Sequence, residues 1–219
     1  MPKVYIVLSD SKTLFSSAIK LCSALAGSSG FYSHASLAFD PDLEEMYSFG
    51  VNWNSDGSFS RLGLAVESLN TDYSPDADMC LLELLLTVKQ YQKLRVNVSK
   101  VIKDSQQYGY NVRGLLQYVN DKIALLPEIH SLKSLAGGVL KEVFGGKKAM
   151  FCSQFVAGVL QDSGIKLFAD SRRSHREEVA PSDFLHNRKL KMKFRGPIGD
   201  FKTKKKGEYN GRKTQPSVL

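Results

Sequence analysis

Cys152 and His34 are the two residues whose types and settings could do nucleophilic chemistry. The cysteine stands in Met150-Phe151-Cys152-Ser153-Gln154-Phe155-Val156-Ala157-Gly158-Val159-Leu160. Apolar residues at 151, 155, 156, 159 and 160 follow helical spacing, and Asp162-Ser163-Gly164 supplies a stop. A helix is therefore expected to begin at Cys152. A thiol in a first helical turn feels the positive end of the helix dipole and unpaired backbone N–H groups, both of which favour the thiolate. His34 lies 118 residues upstream in the alternating run Ser33-His34-Ala35-Ser36-Leu37-Ala38-Phe39-Asp40. A strand holds an imidazole rigidly enough for proton transfer, so histidine on strand and cysteine on helix form a candidate nucleophilic pair.

Other residues of the same types read differently. Cysteine on a helix is most often a small core residue. That description suits Cys22, inside an apolar helical pattern, and Cys80, in the buried-looking run Met79-Cys80-Leu81-Leu82. Cys152 instead precedes its apolar stripe and has the polar neighbours Ser153 and Gln154. His130, His175 and His186 sit in loop, highly polar and basic-tail settings respectively, and read as solvated or interfacial.

Four segments resemble a known group of enzymes, the circularly permuted NlpC-type, papain-like cysteine hydrolases. The likeness is to the YiiX-like branch related to the lecithin:retinol acyltransferases, in a subgroup found in Firmicutes and their phages. The segments are KVYIVLSDSKTLFSSAIKLCSAL, YSHASLAFDPDLEEMYSFG, YGYNVRGLLQYV and FCSQFVAGVLQDSGIKL, the last followed by Pro-Ser-Asp-Phe at 181–184. They span roughly residues 3–200, and the SHASLAFD…MYSFG and FCSQFV stretches are the specific ones. The resemblance implies a permuted papain-like fold, with an antiparallel sheet packed against helices. It also implies Cys152 as nucleophile and His34 as base, acting on an amide, ester or thioester. Peptide amides are the first expected substrates, with acyl transfer to or from lipids close behind. A non-catalytic module that keeps the fold, such as a phage-associated one, is the reading from a different class.

A catalytic histidine needs an acceptor to fix its orientation. The family takes this residue from the strand after the histidine, where many members carry a carboxylate. In this chain Asp40-Pro41-Asp42 marks a turn, so Glu45–Gly50 is expected to pair antiparallel with 34–39. A three-residue loop places Ser48 opposite His34, and a two-residue loop places Phe49 there. Glu45 lies about 10 Å away along the strand. Glu67, in Gly63-Leu64-Ala65-Val66-Glu67 on the next strand, is the other candidate. Ser48 is the first expectation.

The elements that must position these residues read as α+β. Strands are expected at 3–9, 33–51 (a hairpin), 62–68, 79–86 and 189–195. Helices are expected near 12–26, 88–104, 111–122, 128–144 and from 152. The Gly145-Gly146-Lys147-Lys148 turn before Cys152 could lend backbone N–H groups to an oxyanion hole. At 219 residues and 42% hydrophobic content the chain can form one domain with a full core. No segment reaches the roughly 20 apolar residues of a bilayer span, and no secretory leader is expected after Met1-Pro2-Lys3-Val4. Three scattered cysteines predict a reducing, cytoplasmic setting, or a virion if phage-encoded, and no CxxC or His-rich cluster suggests a metal or cofactor.

The formal net charge of +8 is unevenly placed. His186–Leu219 carries 11 Lys/Arg against Asp200 and Glu208, leaving 19 basic and 20 acidic residues elsewhere. Lys189–Arg195 alternates and reads as an edge strand whose lysines guard against strand pairing. Residues 1–201 are thus expected to form the hydrolase domain. Residues 202–219 are expected to form a flexible basic tail that serves solubility before any contact with anionic surfaces. No nucleic-acid-binding motif is present.

Overall fold

The computed structural model describes residues 1–10, 32–53, 59–104, 108–110, 148–168 and 179–213. In chain order these form β1 (Lys3–Asp10), β2 (His34–Ala38), β3 (Met46–Trp53), β4 (Phe59–Glu67) and β5 (Asp78–Leu85). Then come α1 (Val88–Lys103), β6 (Tyr108–Tyr110), β7 (Lys148–Met150), α2 (Cys152–Asp162), a 3-10 turn at Pro181–His186, β8 (Lys191–Pro197) and α3 (Ile198–Lys213). The expected helices near 12–26, 111–122 and 128–144, the glycine turn at 145–146, Cys22, His130 and His175 lie outside the described residues.

Six strands form one antiparallel sheet in the order β4-β3-β2-β1-β5-β8, and the fold is α+β. A two-stranded parallel ribbon, β6 with β7, leads directly into α2. β1 lies inside the sheet, and Val4 to Ser9 are all buried. Its near-continuous VYIVLS text reflects cover on both faces. Val4, Ile6 and Leu8 face the larger core with Leu37, Phe49 and Leu82, against which α1 and α2 pack. Tyr5 and Val7 face a smaller core with Met46, Met79 and Leu81, closed by Ile198 and Phe201 of α3.

Two helix boundaries follow directly from side-chain chemistry. At the start of α1, Thr87 Oγ1 accepts from the Gln90 N–H (3.2 Å) and Gln90 Oε1 accepts from the Thr87 N–H (3.1 Å). This reciprocal cap precedes a buried stripe of Leu94, Val98 and Val101. α2 ends where the sequence expects it. Gly164 takes φ 79°, its N–H reaches the Gln161 carbonyl, and the Ile165 N–H reaches that of Leu160. Those two bonds satisfy terminal carbonyls and need the left-handed residue that glycine provides.

Two expectations are corrected. Residues from 202 do not begin a tail: α3 runs through them from Ile198 to Lys213. Its anchor lies just upstream, in buried Ile198 and Phe201, and lysine and glutamate then continue the helix because they lose little on entering one. Lys205 Nζ also reaches Asp42 at 2.9 Å. The second correction is the hairpin register. Leu37 pairs with Tyr47 and Ala38 with Met46, so the connection spans residues 39–45 instead of a three-residue turn at 40–42. Leu43, at φ 58° and fully buried, plugs that loop into the smaller core. The longer loop shifts pairing by two residues, which keeps the faces but slides Ser48 away from His34.

β8 forms a sheet edge, as its text predicts. Lys191, Lys193 and Arg195 are exposed, and the register slips where Leu81 meets Phe194 but Leu82 meets Met192. The bulge and the charges together blunt that edge.

Candidate active site

Cys152 is the first residue of α2, immediately after the β7 ribbon. Gln154, in the third position, turns back so that its Oε1 accepts from the Phe151 N–H at 2.9 Å. Ser153 donates to the Val179 carbonyl at 2.5 Å, tying the first turn to the chain before the 3-10 turn. Phe155 is fully buried and its ring lies 5.3 Å from that of Phe49 on β3. The polar neighbours that set Cys152 apart in the sequence are therefore the side chains that fix the helix start.

His34 opens β2, opposite Ser9 of β1. Its Nε2 lies 3.0 and 3.1 Å from the two oxygens of Glu67, the last residue of β4. The Cys152 thiol is also among the groups that favour the protonated ring. The imidazole thus interacts with both the carboxylate and the thiol. Beside it, Gly50 on β3 contributes no side chain, and a Cβ there would lie 3.6 Å from His34 Cε1.

Ser48 is fully buried, and its hydroxyl donates to Glu67 Oε1 at 2.5 Å. It touches the carboxylate that touches the histidine. Of the two candidates raised by the sequence, Glu67 is the one in contact with the ring, and Ser48 stands one bond further out. Ser36 and Tyr73 also donate to Glu67, both to Oε2, at 2.7 and 2.6 Å. Neither was singled out in the sequence. The available signal was serine on inward-facing positions of β2 and β3, where buried hydroxyls need partners.

The electrostatics follow from this geometry. Burial opposes ionisation of Glu67, but the charge of His34 and hydrogen bonds from His34, Ser48 and Tyr73 outweigh it, lowering the carboxyl to about 2. Burial likewise opposes protonation of His34. The Glu67 charge and the bonds to Cys152 and Glu67 prevail and raise it well above 6.5. Cys80 has the opposite environment. Burial pushes its thiol to about 11, despite the charge of Arg195.

Comparison with known protein families, with curated proteins and with solved structures found no match.

The function rests on the site itself. Among the described residues no group of His, Cys, Asp and Glu could hold a metal ion. No helix among them is long and apolar enough to cross a membrane. His186 is exposed at the end of the 3-10 turn.

Proposed function

We propose that the chain is a cysteine-dependent hydrolase of permuted papain-like type, with Cys152 as nucleophile, His34 as proton carrier and Glu67 as the residue that orients it. The single observation that carries this reading is the His34–Glu67 pair, 3.0 Å apart, whose imidazole also interacts with Cys152 at a helix start. The Cys152 sulfur attacks the carbonyl carbon of an amide, ester or thioester, and the carbonyl π pair moves to oxygen. As the tetrahedral adduct collapses, the bond to the leaving group breaks and His34 hands it the proton. Cys152 is left as a thioester. Neutral His34 then takes a proton from water, whose oxygen attacks the thioester and releases acid and thiolate. Glu67 stays ionised throughout and stabilises the imidazolium. The first-turn N–H groups of α2, which no helical carbonyl uses, are the donors available to the developing oxyanion.

Peptide amides are the first substrate class, and lipid acyl groups are the second. The non-catalytic alternative drew its weight from a missing carboxylate, and Glu67 supplies one.

The test is trapping of an acyl-enzyme. Incubation with activated ester, thioester and peptide-amide substrates should give a mass increment on Cys152 with at least one class. The increment should be absent in Cys152→Ala. No adduct and no turnover with any class would defeat the proposal.

A further inference from the structure

Glu67 is held by more donors than are required to keep an imidazole in place. Ser48 fixes Oε1, and Ser36 and Tyr73 fix Oε2. Tyr73 comes from outside the sheet, in the segment joining β4 to β5, six residues beyond Glu67. It is fixed in turn. The Ser36 hydroxyl lies 3.5 Å from its oxygen. Burial and then the charge of Glu67 push the phenol well above its usual 10, so it remains a donor.

With hydroxyls on both oxygens the carboxylate plane has no freedom to turn, and both oxygens stay near 3 Å from His34 Nε2. We propose that Tyr73 is a positioning residue: with Ser36 and Ser48 it forms a hydroxyl cradle that locks the Glu67 carboxylate onto His34. The consequence for catalysis rests on the hydrolase reading, whereas the cradle itself does not. Among the described residues, the titratable or charged groups around His34 are Glu67 from β4, Cys152 from α2 and Tyr73 from the β4–β5 segment. Asp10 at the end of β1 is one step away through Ser33, whose hydroxyl lies 3.4 Å from Asp10 Oδ1.

Loss of the Tyr73 hydroxyl removes a hydrogen bond to a charged acceptor, the stronger kind. In Tyr73→Phe the carboxylate should lose its alignment with His34, so the His34 titration midpoint should fall by about one pH unit, a tenfold change in imidazolium population; a rise would mean an unmoved, more basic carboxylate and would overturn the proposal. The experiment follows the His34 imidazole by NMR over pH, assigned by its absence in His34→Ala, in wild type, Tyr73→Phe and Ser36→Ala. Cys152 alkylation is followed in the same samples. A merely packing tyrosine would lower thermal stability with the His34 midpoint unmoved, and that result overturns the proposal. If Tyr73→Phe fails to fold, Ser36→Ala takes the same readout at the same oxygen, and an unmoved midpoint there overturns it equally. A lowered midpoint beside an unreactive Cys152 keeps the cradle and defeats the hydrolase reading. An unshifted midpoint beside a reactive Cys152 does the reverse.

Discussion

Replacing Glu67 by glutamine removes one charge and almost no volume. The three hydroxyls around it adapt, because serine and tyrosine oxygens can accept from the new amide as well as donate to it. His34 cannot adapt while charged. Its partner is gone and its side chain is only 21% exposed. Leaving a buried charge unpaired costs roughly 3–5 kcal/mol, but an imidazole escapes by losing its proton. That escape is nearly free at pH 8. At pH 5 it must be made about 1.5 units below the ordinary 6.5, which costs about 2 kcal/mol at 1.36 kcal/mol per unit. The sign is fixed by linkage. In the wild type His34 is raised, so its contribution is fully present below 6.5 and is lost as pH climbs through the folded value. The stability gap between wild type and Glu67→Gln should thus be wider at pH 5 than at pH 8 by about 2 kcal/mol or more, read from urea unfolding. A gap that is flat, or wider at pH 8, would refute the ion pair.

Three further outcomes follow from the same contacts. Ser48→Ala should slow turnover less than His34→Ala, while Ser48→Asp should be the worse Ser48 variant. The serine hydroxyl lies 2.5 Å from Glu67 Oε1, so a second carboxylate there repels the first, and steady-state rates of the pair check the order. Phe155→Ala should cost about 3–5 kcal/mol in chemical denaturation, because the ring is fully buried against Phe49 under the cysteine helix. Phe201→Ala should cost about 3 kcal/mol, whereas Lys205→Ala should stay within about 1 kcal/mol. The ring closes the smaller core, while the Lys205–Asp42 pair is largely solvated. Equal losses would mean that α3 is held by charge.

The helix at Cys152 and its stop at Gly164 were legible because both depend on local chemistry, an apolar stripe and a left-handed glycine. The strands of the six-stranded sheet were legible from alternation, and β1 from its unbroken apolar text, whereas the three-residue β6 and β7 were not expected. The partner of His34 was not legible as one residue. Choosing between Ser48 and Glu67 required a loop length, and Leu43 had folded into the core to make that loop longer than Asp40-Pro41-Asp42 suggests. Parity survived the error, so Ser48 still faces the site. Tyr73 carried no periodic signal, since it reaches Glu67 from an irregular segment. α3 was missed because lysine-rich text lacks apolar periodicity, and its anchor is only Ile198 and Phe201. Composition describes what a segment lacks, whereas a short anchor depends on what happens to lie opposite.

The central claim is that Cys152 is an activated nucleophile coupled to His34. It is tested most directly by labelling the native protein with a thiol-directed electrophile near neutral pH and locating the label by mass spectrometry. Cys152 should be labelled and Cys80, whose thiol burial pushes to about 11, should not. In His34→Ala the labelling of Cys152 should slow about tenfold or more, with Cys80 still unlabelled. Labelling of Cys152 at the same rate with and without His34, or equal labelling of Cys80 in the folded protein, would contradict the account.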